Sequence, residues 1–322
     1  MTCGPSRWSG PDTVSYVLKR LGQTVLTAFL TILTVFVLLR LAPGDPAYNY
    51  APPNPSTEQL EAIRKQFGLD QPLLQQFWTF LSNLFHGDVG TSFQFKQPAL
   101  QVVMDRLPYT ITLAIAAIVV TTIIAVPLGV WMARRNNTAP ELGANIATIA
   151  GQSMPDFWIG FVLLIIFAVN LSWFQPSGFA TWGELVLPTA TIAILQIALI
   201  SRLVRREMVA NLAAPYITVA RSRGVPERDL TWKYAFANSA IPVVTALGTR
   251  FAAMLNGVVI VEVVFKWPGV GALVVDALQR RDFPLIQATV LVTVILALVV
   301  QLAVDLVYPI LDPRVRLGEA SS

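Results

Sequence analysis

Cys3 and His86 are the only thiol and the only imidazole in this 322-residue chain. A structural zinc site takes four Cys or His ligands and a catalytic one takes three, so these two residues build no metal centre. The 19 acidic residues are scattered. Glu58 and Glu61 stand one helical turn apart, which is ordinary spacing on a solvated face. The chain contains no G-x-x-x-x-G-K-[ST] phosphate loop, no Gly-rich dinucleotide loop, no G-x-S-x-G elbow and no H-E-x-x-H pair. Each of those motifs carries a specific chemistry that is therefore not expected here, ATP hydrolysis included. The expectation is a non-catalytic chain with no metal and no cofactor of its own.

The polar residues that invite a role lie inside apolar sequence: Arg250, Asn256, Glu262 and Asp305. A charge in such a place is costly, and it usually faces a bundle interior or a water-filled cavity. Arg250 lies about two turns in from one end of its run and can snorkel. Glu262 and Asp305 fall near opposite membrane interfaces, too far apart to pair. Each of the four either anchors an interface, makes a structural pair or lines a pathway. A proton-coupled carrier needs a titratable group near mid-membrane, and no Asp or Glu clearly sits there.

A second set is basic. "ARSRGVPERDL" (220–230) sits between two apolar stretches. Residues 215–224 read as a helix, with Pro215 in its first turn and Tyr216, Val219, Ala220 and Arg223 on one side. Arg221 and Arg223 fall in the last turn, where cations complement the helix dipole. Gly224 suits the left-handed residue that ends a helix, and Pro226 cannot continue it. A second helix starts with Glu227 and Asp229, runs through Leu230, Tyr234 and Phe236 to about Asn238, and Pro242 opens the next apolar run. A plain connector could be loose. This one is capped and stiff, as a lever must be, and in a chain without an ATP site the force would come from another protein.

The elements that must hold these residues are membrane helices. Hydrophobic residues make up 54% of the chain and charged residues 13%, with a mean hydropathy of +0.60; soluble domains carry about 25% charge. About 20 apolar residues cross a bilayer, and six such runs are visible: 21–41, 109–133, 144–171 (broken at Met154-Pro155), 185–204, 241–265 and 285–308. The first is too long for a signal peptide and reads as a retained anchor. With both termini in the cytoplasm, the inner segments hold 14 of the 23 Lys and Arg, which is the distribution the positive-inside rule favours. The net charge of +4 sits at the ends of apolar runs rather than in one stripe, so no nucleic-acid partner is expected.

The segments then divide as follows. Residues 1–20 are a cytoplasmic N-terminus, 21–41 a first transmembrane helix and 42–108 an external cap. Residues 109–310 form a core with a coupling loop at 205–240, and 311–322 a cytoplasmic C-terminus. In the cap, Ser56 and Gln59 form a capping box for a helix to about residue 67, with Leu60, Ile63 and Phe67 on one face. A second helix, about 72–85, places Leu74, Phe77, Phe80, Leu81 and Leu84 on one side. The cap either protects the membrane core or docks an external partner. Between the last two runs, "FKWPGVGALVVDALQRRDFP" (265–284) reads as a turn and a short interfacial or re-entrant helix. Its apolar face would carry Leu273, Val274, Ala277 and Leu278, with Asp276 and Gln279 opposite. Backbone of this kind is tolerated at membrane depth only against protein or water, which predicts a cavity beside it. Small-residue steps, Gly248 with Ala252 and Ala253 with Gly257, would let membrane helices approach closely.

"YITVARSRGVPERDLTWKYAFANSAIPVV" (216–244) resembles the EAA-type cytoplasmic loop of the permease subunits of binding-protein-dependent ABC importers. More narrowly, the chain is similar to the B-type permease of the dipeptide/oligopeptide (peptide/nickel) group. "RLAPGDP", "FGLDQPLLQQFWTFLSNLFHGDVGTSF", "RLPYTITL", "SMPDFWIG", "VFKWPGVG" and "LDPRVR" match that group in the same order, over about residues 16–316. The resemblance implies an all-α polytopic protein of a bacterial or archaeal plasma membrane, with six transmembrane helices and both ends inside. It implies a half-channel that pairs with a homologous C-type permease. Two cytoplasmic ATPase subunits, or one fused chain, would bind ATP and Mg, and an external binding protein would deliver substrate. By position, Ala220 and Gly224 match the family's Ala and Gly, and Arg221 its basic residue; the helix before Gly224 would seat in the ATPase. Val219 stands where the group often has Thr, and Thr218 replaces the Glu of the broad pattern. Peptides are the expected substrate, with nickel complexes, glutathione or another small solute as alternatives. A secondary transporter, a membrane enzyme and a scaffold are the readings from other classes.

Overall fold

The computed structural model describes residues 11–41, 47–51, 54–66, 68–179 and 181–311. Among these the regular structure is helical: α1 (Pro11–Leu41), α2 (Ala47–Tyr50), α3 (Thr57–Gln66), α4 (Leu73–Phe85), α5 (Ala99–Arg134), α6 (Ala139–Ser153), α7 (Asp156–Leu163), α8 (Val186–Leu212), α9 (Pro215–Ser222), α10 (Glu227–Asp229), α11 (Ala237–Gly257), α12 (Val259–Val264), α13 (Val270–Gln279) and α14 (Phe283–Leu311). The single β-type contact among the described residues is an isolated bridge between Thr91 and Pro98. This is an all-α polytopic membrane protein.

Among the described residues, four helices are long and apolar enough to cross a bilayer: Leu18–Leu38 within α1, α5, Trp182–Leu212 and Phe283–Asp305. A fifth span results if α6 and the helix Asp156–Asn170 count as one, although they meet at 102°. The break expected at Met154-Pro155 is that bend. Met154 is extended, at φ −90° and ψ 134°, because a residue before proline is pushed out of the helical region. Of the six expected runs, the fifth is the one that falls short. Its α11 has 21 residues but carries Asn238, Ser239, Arg250 and Asn256. It ends at Gly257, and α12 follows as a separate helix of six residues.

The second run begins ten residues earlier than expected. α5 starts at Ala99 and contains Pro108, so the last part of the expected cap is helix. Three clusters of buried side chains stack along α5 and its neighbours. The first joins Val102 and Val103 of α5 to Leu273 of α13 and Leu285 of α14. The second joins Leu113 and Ala117 to Ile192, Leu255 and Trp267. The third joins Val130 to Val204, Met208, Ile217 and Leu230. α11 packs on α14 where a Cβ at Gly248 would lie 2.6 Å from Val304 Cγ2, and Ala252, one step on, is buried. That small-residue step makes the close contact it predicts. Gly257 in the second step is described only through its backbone.

The cap helices form as expected. The Gln59 N–H donates to Ser56 Oγ at 3.2 Å and the Ser56 N–H donates to Gln59 Oε1 at 2.9 Å, which is the reciprocal capping box. Leu60 and Phe77 are buried; Leu74 is exposed, contrary to its expected place on the apolar face, and Phe67 lies outside the described residues. α4 leans on the end of α1: Phe36 stacks on Phe80 at 5.7 Å between ring centres and meets Phe77 edge-on at 5.3 Å. The Arg40 guanidinium covers Phe36, and its Nε donates to Gln76 Oε1 at 2.8 Å.

Candidate functional site

The elbow between α8 and α11 is built from α9, a turn at Gly224 and α10. Pro215 occupies the first helical position of α9. At the other end the Gly224 N–H donates to Arg221 O at 3.0 Å and the Val225 N–H to Ala220 O at 3.3 Å. These are the two bonds of a Schellman ending. Gly224 has φ +78°, in the left-handed region that a residue with a Cβ enters only at a cost. Arg221 Nε then donates to Glu227 Oε1 at 2.6 Å, bridging the turn. The Arg221 hydrogen bond holds the Glu227 carboxyl below the usual carboxylate range.

The face that α9 buries differs from the expected one. Ile217 is fully buried and Ala220 nearly so, both against α8 and the helix after the elbow. Tyr216 and Val219 are exposed, as is Arg223. Ala220 is therefore an anchor in the chain's own core. Ile217 was missed, although its spacing of three from Ala220 was a readable apolar pair. The outer face of α9 is braced: Tyr216 Oη donates to Asn211 Oδ1 at 2.9 Å, and Asn238 Nδ2 donates to Tyr216 Oη at 3.2 Å. Asn211 Nδ2 in turn reaches the buried Ser239 Oγ at 3.0 Å.

The second elbow helix does not stop near Asn238. Asp229, Phe236 and Ala237 all keep right-handed helical angles, a π-helical stretch runs over Leu230–Phe236, and α11 continues to Gly257 with Pro242 inside it. A proline removes one hydrogen bond of a helix, and here the chain passes it without a break. The second elbow helix and α11 thus form one continuous rod.

Of Arg250, Glu262 and Asp305, whose side chains are described, Glu262 is the most enclosed. It is fully buried on α12. Thr110 Oγ1 donates to its Oε1 at 2.7 Å and the Ala272 N–H donates to its Oε2 at 2.9 Å. The Val270 N–H donates to Thr110 Oγ1 at 2.8 Å. Helices begin with N–H groups that have no partner of their own; here Glu262 and Thr110, from two other helices, supply partners for α13. A side chain at Gly269 would collide with the Glu262 carboxyl. Trp267, buried beside them, donates from Nε1 to Tyr109 O at 3.1 Å. Asp305 is ion-paired with Arg20 of α1, whose Nε donates to its Oδ2 at 2.7 Å. Glu262 and Asp305 do not meet, as expected. Arg250 lies on an exposed face of α11, and the Asn256 side chain falls outside the described residues.

The hairpin helix α13 buries Leu273 and Ala277 but exposes Leu278, so its apolar face is narrower than expected. An open groove of about 500 Å³ runs along α13, with Arg106, Lys266, Asp276 and Gln279 on its walls.

The chain belongs to the family of binding-protein-dependent transport system inner membrane components. That family's model matches residues 125–317, and the model of the family's N-terminal part matches residues 13–114. The dipeptide transport system permease protein DppB of Lactococcus lactis subsp. cremoris (strain MG1363) is 36% identical, over 94% of this chain and 100% of the relative. The glutathione transport system permease protein GsiC of Escherichia coli (strain K12) is 35% identical, over 94% and 99%. A crystal structure of an amino acid ABC transporter with histidines shares the fold, with a TM-score of 0.51 at 16% identity over 65% of this chain and 93% of that one. The chain is thus a permease component of the inner membrane in an ABC importer.

Proposed function

We propose that this permease is one half of a channel for short peptides, moved by ATPase subunits that bind the elbow. Six crossings with both ends inside complete the reading, the fifth crossing being α11 with α12. This orientation places the elbow, with Arg221, Arg223 and Arg228, in the cytoplasm and the cap outside. A homologous C-type permease forms the other wall of the pathway. Two ATPase subunits, or one fused chain, bind ATP and Mg, and an external binding protein delivers substrate. The permease contributes no covalent chemistry.

The observation that carries the reading is the continuity of the second elbow helix with α11. A displacement of α9 is delivered through the Gly224 turn to a rod that packs on α14. Tyr216, Val219 and Arg223 offer the outward face of α9 to the ATPase, while Ile217 and Ala220 hold the helix to its own chain. Alternating access follows when ATP closes the ATPases and both elbows move.

The peptide assignment is supported by the dipeptide permease relative. The glutathione permease relative supports a second reading of the same kind, since glutathione is itself a tripeptide. Mild-detergent purification of the tagged chain, with mass spectrometry of what accompanies it, tests the class: a second permease and ATPase subunits are expected. A lone chain under gentle crosslinking would overturn it. Competition between a dipeptide and glutathione in ATP-dependent uptake decides between the two substrates.

A further inference from the structure

The groove along α13 joins three parts of the molecule. Phe95 comes from the segment before α5, Arg106 from the second turn of α5, and Lys266 from the turn between α12 and α13; Asp276 and Gln279 line it from α13 itself. Its volume of about 500 Å³ falls inside the range of roughly 300–1,000 Å³ usual for small-molecule sites. Lys266 has φ +49°. That left-handed residue ends α12: the Lys266 N–H donates to Val263 O at 3.2 Å and the Trp267 N–H to Glu262 O at 2.8 Å, the two bonds of a Schellman ending.

Arg106 and Lys266 face Glu262 and Asp276 on the walls, and with Arg280 beside Asp276 the site carries an excess of one positive charge. Glu262, at the floor, has its carboxylate occupied by Thr110 and the start of α13. Asp276 is ion-paired with Arg280 at 2.8 Å and lies near enough to Arg106 to feel its charge. Among the described residues no carboxylate lies within 4 Å of Arg106 or Lys266. Arg106 and Lys266 line the same groove as Val263, Leu273 and Phe95. That combination suits a small organic anion: a guanidinium grips a carboxylate through two parallel hydrogen bonds, and the apolar wall takes a side chain.

We infer that this groove receives the C-terminal carboxylate of a short peptide at the outer mouth of the permease, with Arg106 and Lys266 as its binding residues. The peptide class and the outer placement rest on the proposed function; the anion preference rests on the groove. An occupant would touch the segment before α5, α5 and the α13 hairpin together.

The test uses the complete importer in nanodiscs, with its ATPases and without the binding protein. A tripeptide carrying a photoreactive benzoyl group is offered as the free acid and as the C-terminal amide, and labelled positions are mapped by mass spectrometry. The acid should label residues 95–106 or 263–279 at least about tenfold more than the amide, the scale expected when one charge-assisted contact is lost. R106Q with K266Q should remove both the labelling and the acid/amide difference. K266Q alone, at an exposed position, should lower labelling without touching the fold, and R106K should keep part of it. Equal labelling by acid and amide, or full labelling of the double variant, overturns the inference. So does a photoreactive anionic phospholipid that labels the groove and excludes the peptide. ATP-dependent uptake of the same peptide, with the binding protein present, tests the proposed function separately. Uptake without groove labelling rejects the site and keeps the importer reading; labelling without uptake does the reverse.

Discussion

Thr110 of α5 donates to the Glu262 carboxylate of α12 at 2.7 Å, and between them the two side chains satisfy the start of α13. Three helices meet at this contact, and its removal should be felt in all of them. Thr110→Val leaves the Val270 N–H buried without a partner, and Glu262→Gln removes one acceptor. Each should destabilise the protein by about 1–3 kcal/mol, the cost of an unmet buried polar group. The double variant should lose less than the sum, because both changes act on one network. Thermal unfolding in detergent measures this; additive losses would show that the two residues act independently.

Gly224 is the pivot of the elbow. Gly224→Val forces a branched side chain into φ +78° and should cost about 1–2 kcal/mol for the left-handed backbone. Gly224→Pro removes the turn outright. Both should insert into the membrane normally and lose most transport. Uptake assays on membranes with matched expression are the check, and normal uptake by the proline variant would sink the lever mechanism.

Arg221 and Glu227 close the turn on the surface. The folded-state pKa of Glu227 is lowered, chiefly by the Arg221 hydrogen bond. The pair's contribution is therefore present above the unfolded Glu value of about 4.3 and is lost as pH falls through the lower folded value. Exposed pairs contribute little and are screened by salt. Glu227→Gln should thus lower the melting temperature slightly at neutral pH and low salt. The difference from the unmodified protein should shrink as pH falls from the unfolded Glu value through the lower folded one, and in high salt. A difference that persisted in acid would point to another cause.

Arg20 and Asp305 tie α1 to α14 across the ends of the chain. The Asp305 side chain is 17% exposed and that of Arg20 36%, so the pair sits between a surface and a buried one. Asp305→Ala should cost on the order of 1 kcal/mol, discounted from the buried-pair value for solvent screening. It should also loosen α1, seen as faster proteolysis ahead of α5. A double-mutant cycle with Arg20→Ala separates the pair from the individual side chains.

What the sequence determined by itself was local. Apolar length marked the membrane runs, Met154-Pro155 marked the bend, and Ser56 with Gln59 marked a helix start. Pro215, Gly224 and Pro226 marked the two sides of the elbow. Each of these signals works through backbone geometry within a few residues, so spacing alone reveals it. The tertiary structure decided which side chains meet. Glu262 finds Thr110 at a separation of 152 residues, and Asp305 finds Arg20 at 285; no local pattern encodes a partner so distant. It turned Ile217 and Ala220 inward because α8 and the second elbow helix bury them. It also carried the helix through Pro242, joining two elements that the sequence separates, because packing of a long helix outweighs the one hydrogen bond that a proline removes.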